Sequence, residues 1–83
     1  MQTITTEELI EETQVRLYFL DVSAFLHQGR AYFKNWAAKE EVGQLYLKLQ
    51  DALDNRWILQ NELGANEEFA GIEELLDAGW ILD

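Results

Sequence analysis

Apolar residues recur along the chain at spacings of three and four, and glycines fall where these stretches end. The first stretch opens on Thr5 and Thr6. Thr5 and Glu8 have the spacing of a capping box. Leu9, Thr13/Val15, Leu17, Leu20, Ala24 and Leu26 follow, which predicts a helix from about Glu7 to His27. A rival period runs through the same residues. Val15, Leu17 and Phe19 alternate with Arg16 and Tyr18 among β-forming side chains, so a short strand or hairpin around residues 14–20 is the alternative.

After Gly29 the run Ala31-Tyr32-Phe33-Lys34-Asn35-Trp36 is short and aromatic, a continuing helix or a connecting turn. Val42, Leu45/Tyr46, Leu49, Leu53 and Trp57 then keep the i, i+3/i+4 rule, with Lys39, Glu40, Glu41, Lys48 and Asp51 on the other face. This pattern predicts the clearest helix, from Trp36 or Ala38 to Glu62. In the last stretch Asn66 is an N-cap, Glu67 and Glu68 fill the first turn, and Phe69, Ile72, Leu75 and Leu76 form an apolar face. Gly79 closes it at C′, with Trp80 and Ile81 folding back. The expected fold is all-α, a small bundle of three to four helices in a single domain over 1–83. The alternative is an α+β domain with its strand near 14–20.

Composition supports a folded core. The 83 residues are 48% hydrophobic and include ten aromatics, too many for a disordered chain. Each buried aromatic ring removes about 150–250 Å² from water. Three short helices cannot cover all ten, and Phe33, Trp36 and Trp80 flank the expected helix ends. These three are therefore expected to be partly exposed. The chain has no proline to break its helices. It also has no cysteine, so disulfides, thiol nucleophiles and cysteine metal sites are excluded. No apolar run approaches the ~18 residues of a membrane span, and no signal peptide is evident, so the expected compartment is the cytoplasm.

Charge adds the main functional clue. Six Lys and Arg against 16 Asp and Glu leave a net charge of −10. Bulk electrostatics therefore oppose a direct grip on nucleic acid or on an anionic membrane. Residues 1–12 carry −4, residues 13–59 carry +1 and residues 60–83 carry −7. Glu7, Glu8, Glu67 and Glu68 suit the first turns of their expected helices. Glu73, Glu74 and Asp77 fall in the second half of the last expected helix, where the dipole disfavours acids. Glu73–Asp77 is also a like-charge i, i+4 pair. These three residues point to a basic protein partner.

Candidate chemistry is sparse. His27 is the one histidine and Ser23 the one serine. Asp21-Val22-Ser23 lacks the adjacent Asp-Ser pair that carries phosphopantetheine in acyl carrier proteins, because Val22 intervenes. There is no glycine-rich phosphate loop and no calcium loop. Neighbouring carboxylates such as Glu11/Glu12 and Glu73/Glu74 do not face one another on a helix, so they make poor acid–base partners. The expectation is a non-enzyme with no catalytic residue, no metal and no cofactor.

The expected function is a small acidic interaction module. It would be an inhibitor or adaptor that docks a basic partner, such as a nucleic-acid-binding protein, by mimicking phosphates. Its expected contact residues are Glu7, Glu8, Glu11, Glu12, Glu67, Glu68, Glu73, Glu74, Asp77, Trp36 and Trp80. The alternative is a self-associating structural protein, a homo-oligomer. Its seam would be the Val42–Trp57 face, or Phe33, Trp36 and Trp80, with the acids serving only solubility.

Overall fold

The computed structural model describes residues 5–26, 28–38 and 43–83. In chain order the elements are α1 (Thr6–Tyr18), a 3-10 turn (Val22–Phe25), β1 (Arg30–Asn35), β2 (Leu45–Lys48), α2 (Leu49–Leu53), β3 (Trp57–Gln60), β4 (Asn66–Phe69), α3 (Ile72–Asp77) and β5 (Trp80–Leu82). The five strands form one sheet in the order β4-β3-β2-β1-β5, antiparallel at every described pairing. The expectation of an all-α bundle is therefore overturned, and so is its alternative. Residues 14–18 are helical, and the strands lie elsewhere.

The reason lies in a shared period. Leu45, Leu49, Leu53 and Trp57 are four apart, and a spacing of four satisfies a helix of period 3.6 and a strand of period 2 equally well. The residues between them decide the matter. Leu45, Tyr46 and Leu47 are all buried, and so are Trp57 and Leu59. Such consecutive and alternating burial suits strands within a covered sheet. Between β2 and β3 only α2 remains of the expected long helix. Asn55, at φ 58°, ends it in the left-handed conformation. Arg56 N–H bonds the Asp51 carbonyl and Asn55 N–H bonds that of Ala52, which is a Schellman closure with Asn in place of Gly. His27 and the part of the expected helices at residues 39–42 lie outside the described residues.

The first helix stops early by the same device. Leu20 takes φ 50°, Asp21 N–H bonds the Arg16 carbonyl, and Leu20 N–H bonds that of Leu17. The N-terminus matches its expectation, since the Thr5 hydroxyl accepts from Glu8 N–H at 3.2 Å. In the last stretch Asn66, Glu67 and Glu68 belong to β4 rather than to a first helical turn. Gly79 does follow α3 with φ 97°.

Register places the core. The cross-strand pairs Ala31↔Leu47, Phe33↔Leu45, Phe33↔Leu82 and Trp57↔Phe69 put these side chains on one face. The sheet curls around that face. β4 and β5 lie at opposite edges, yet α3 packs against both. The Trp80 indole Nε1 donates to Glu67 Oε2 at 3.0 Å across the gap. α1 packs on α3 and β5 and adds Leu17 to the core. Thr13, 1% exposed, accepts from Leu82 N–H at 3.0 Å and donates to the Leu9 carbonyl at 2.8 Å. The β5 edge is thus covered by a helix, and the β4 edge carries Glu67 and Glu68. Both are recognised defences against strand-to-strand aggregation.

Candidate functional site

The candidate site is the outer side of the two packed helices α1 and α3. Each buries one stripe and exposes the other. In α1, Thr13 and Leu17 face inward, while Glu7, Glu8, Glu11 and Glu12 are exposed. In α3, Leu75 and Leu76 face inward, while Glu73, Glu74 and Asp77 are exposed. The fold therefore brings the acids of the two chain ends onto neighbouring helices. Arg16 is the cation of α1, and three others stand on the sheet. Arg30 and Lys34 alternate with the buried Ala31 and Phe33, and Lys48 pairs with Arg30, so all three stand on the outer face of β1 and β2.

Several expected contact residues have local duties. Glu73 and Glu74 lie in the first turn of α3, not its second half, so the dipole favours them. Glu74 Oε2 also accepts from Ala70 N–H at 3.1 Å, tying down the helix start. The expected conflict with the helix dipole is therefore corrected for both, and only Asp77 sits at the C-terminal end. Glu12 pairs with Arg16 at 2.8 Å. Glu67 is held by Trp80. Glu68 faces outward on β4 opposite Ile58. Among the described residues, Glu7, Glu8, Glu11, Glu73 and Asp77 have no cation within ion-pair distance.

The expected aromatic contacts separate. Trp36 is 50% exposed and open to a partner, whereas Trp80 is 2% exposed and belongs to the core. The proposed self-association seams are corrected as well. Phe33, Leu45, Tyr46 and Trp57 are buried within the chain and form no external face. Among the described residues the large exposed apolar side chains are Val15, Tyr18, Phe19, Val22, Leu26, Leu63 and, from the expected seams, Trp36 and Leu53. Sequence reasoning missed the first five. The signal for four of them was a second apolar series, 15-18-19-22, beside the buried Thr13 and Leu17.

A polar groove of about 940 Å³ runs beside the 3-10 turn, with Arg16, Gln28, Arg30, Tyr32, Gln44 and Glu62 among its walls. Its arginines are already engaged. Arg16 is held by Glu12, and Arg30 bonds Glu62 at 3.0 Å and lies 4.3 Å over the Tyr46 ring. The hydrogen bond that Arg30 donates to the Glu62 carboxylate does most to raise its pKa, followed by its hydrogen bond with Tyr32. Tyr46 in turn meets Tyr32 at 5.8 Å between centroids. This cluster fastens β1, β2 and the loop after β3 together.

Ser23 has a structural partner too. Its hydroxyl donates to Asp21 Oδ1 at 2.6 Å and its N–H donates to the same oxygen at 3.0 Å. These bonds cap the 3-10 turn and hold the Asp21 carboxyl below the usual carboxylate range. Among the described residues no three His, Cys, Asp or Glu side chains converge as metal ligands, and no helix is long and apolar enough to cross a membrane. Comparison with protein families, with curated proteins and with solved structures finds no match to this chain.

Proposed function

We propose that this protein is a small interaction module whose acidic two-helix face docks a basic protein partner. The observation that carries the reading is the packing of α1 on α3. It gathers Glu7, Glu8, Glu11, Glu73 and Asp77 on adjacent helices, and among the described residues none of the five is paired to a cation. A chain that used its acids only for helix stability would hold Lys or Arg at Asp77, the last residue of α3. Unpaired carboxylates on a rigid surface raise the association rate with a cationic surface and disfavour anionic ones. A nucleic-acid-binding protein is the partner class this face suits. Its Lys and Arg side chains take phosphate oxygens, and carboxylates on helices offer anionic oxygens in their place. In this reading the protein is an inhibitor or adaptor and not an enzyme, with no cofactor.

Affinity capture from the native host at low and high salt tests the reading. The captured partner is then purified for titration. Binding is expected to weaken steeply as salt rises, because exposed charges are screened within about 8–10 Å at physiological ionic strength. Glu73→Lys with Asp77→Lys is expected to weaken it by at least about tenfold, a change of roughly 1.4 kcal/mol. Binding that ignores both salt and these reversals contradicts the proposal.

A further inference from the structure

The geometry points to a specific anchor beside the acidic face: the stripe Val15, Tyr18, Phe19 and Val22 receives the apolar side of a basic amphipathic helix from the partner. This inference deepens the docking reading above and rests on it. The four side chains are 52%, 73%, 75% and 64% exposed. Scattered exposed apolar residues are ordinary, but a contiguous group marks an interaction surface. Their spacing of i, i+3 and i+4 puts Val15, Tyr18 and Phe19 on one side of α1 at its C-terminal end, and the exposed Val22 follows in the 3-10 turn after Leu20.

The aromatic pair is already organised. The Tyr18 and Phe19 rings meet edge to face at 5.6 Å between centroids. Aromatic side chains turn on only two torsions, so they give contact area at little entropic cost. Phe19 also sits at the Schellman closure of α1, where Phe19 N–H bonds the Val15 carbonyl at 3.0 Å. The stripe is thus presented by a fixed helix end.

Charge decides the occupant. A shallow depression at the Val15 end of the stripe is lined by Glu8, Glu11, Glu12, Val15, Arg16 and Asp21. Its one cation, Arg16, is bound to Glu12. A second copy of this chain would set the same carboxylates against each other, on molecules of net charge −10. An anionic membrane surface would be repelled likewise. A helix with Leu-type residues along one side and Lys or Arg flanking them meets both features at once, in the helix-on-groove mode of recognition.

The test uses two fluorescent peptides of about 18 residues with identical Lys and Leu content, one in amphipathic order and one scrambled. Fluorescence anisotropy against the full chain is expected to show at least about tenfold tighter binding of the amphipathic peptide. Tyr18→Ser with Phe19→Ser should erase that preference and leave the weak, salt-sensitive binding of the scrambled peptide unchanged. Val22→Ser, outside the helix, should reduce the preference without touching α1, which circular dichroism verifies. Equal binding of both peptides by the native chain overturns the inference, as does a preference that survives the substitutions. A dimer in sedimentation that Tyr18→Ser with Phe19→Ser dissolves also overturns it, in favour of a second copy. Failure of the acidic-face reading looks different: the scrambled peptide then binds independently of salt and of Glu73→Lys with Asp77→Lys.

Discussion

The Trp80 indole donates to the Glu67 carboxylate at 3.0 Å, joining two strands that stand at opposite edges of the sheet. No backbone ladder links β5 to β4, so this bond and the span of α3 hold the curl. Trp80 is 2% exposed, and the exposed Glu67 side chain stands between its N–H and the solvent. Glu67→Ala is expected to cost about 1.5–3 kcal/mol, the worth of a hydrogen bond to a charged group. Glu67→Gln, which keeps an acceptor oxygen, should recover most of it. Urea denaturation of the three proteins measures the difference, and an unchanged Glu67→Ala midpoint would contradict the account.

Thr13 makes the corresponding link on the helix side, with its hydroxyl between Leu82 N–H and the Leu9 carbonyl. Thr13→Val keeps the shape and removes the acceptor. A loss of about 1–3 kcal/mol is expected, with faster hydrogen exchange confined to the Leu82 amide and its neighbours. Thr13→Ser keeps the hydroxyl and should protect that amide.

Gly79 has two constraints that can be separated. Its φ of 97° penalises any side chain, and an added Cβ would stand 2.5 Å from Asn35 Oδ1 and 2.7 Å from Ala37 Cβ. Gly64 has φ 94° with open space around it. Gly64→Ala should therefore cost only the conformational term, about 1–2 kcal/mol. Gly79→Ala adds overpacking and should cost about 2–4 kcal/mol. In a domain of this size each kcal/mol lowers the melting temperature by roughly 4–8 °C, so calorimetry resolves the two.

Acid should loosen the 3-10 turn. The Ser23 hydroxyl and then its N–H favour ionised Asp21, with Arg16 adding to them, so the folded pKa lies below the unfolded one. The unfolded chain binds the extra proton first. The stabilising contribution is therefore complete above the unfolded Asp pKa and is lost as pH falls through the lower folded value. An NMR titration should show the Ser23 amide moving with a midpoint below that of a free aspartate, and Asp21→Asn should abolish the movement. A midpoint at or above the free value would refute the assignment.

Parts of the fold were legible one residue at a time. Thr5 caps α1, Gly79 follows α3, and the acids cluster at the chain ends, all as their local chemistry implies. The strands were illegible for a definite reason. Leu45, Leu49, Leu53 and Trp57 read as one helix because four residues suit both periods, while the breaks at Leu20 and Asn55 use left-handed residues other than glycine. Trp80 looked like an exposed anchor because its position beyond Gly79 says nothing about which strand it joins.

The sequence by itself determined a single folded core, its acidity and the division of charge along the chain, since these follow from composition and order alone. Only the tertiary structure decided that α1 and α3 pack together, that Glu67 and Glu74 serve the fold, and that Tyr18 and Phe19 remain outside. Each of those outcomes depends on contacts between residues distant in the chain. Local period and propensity carry no record of such contacts.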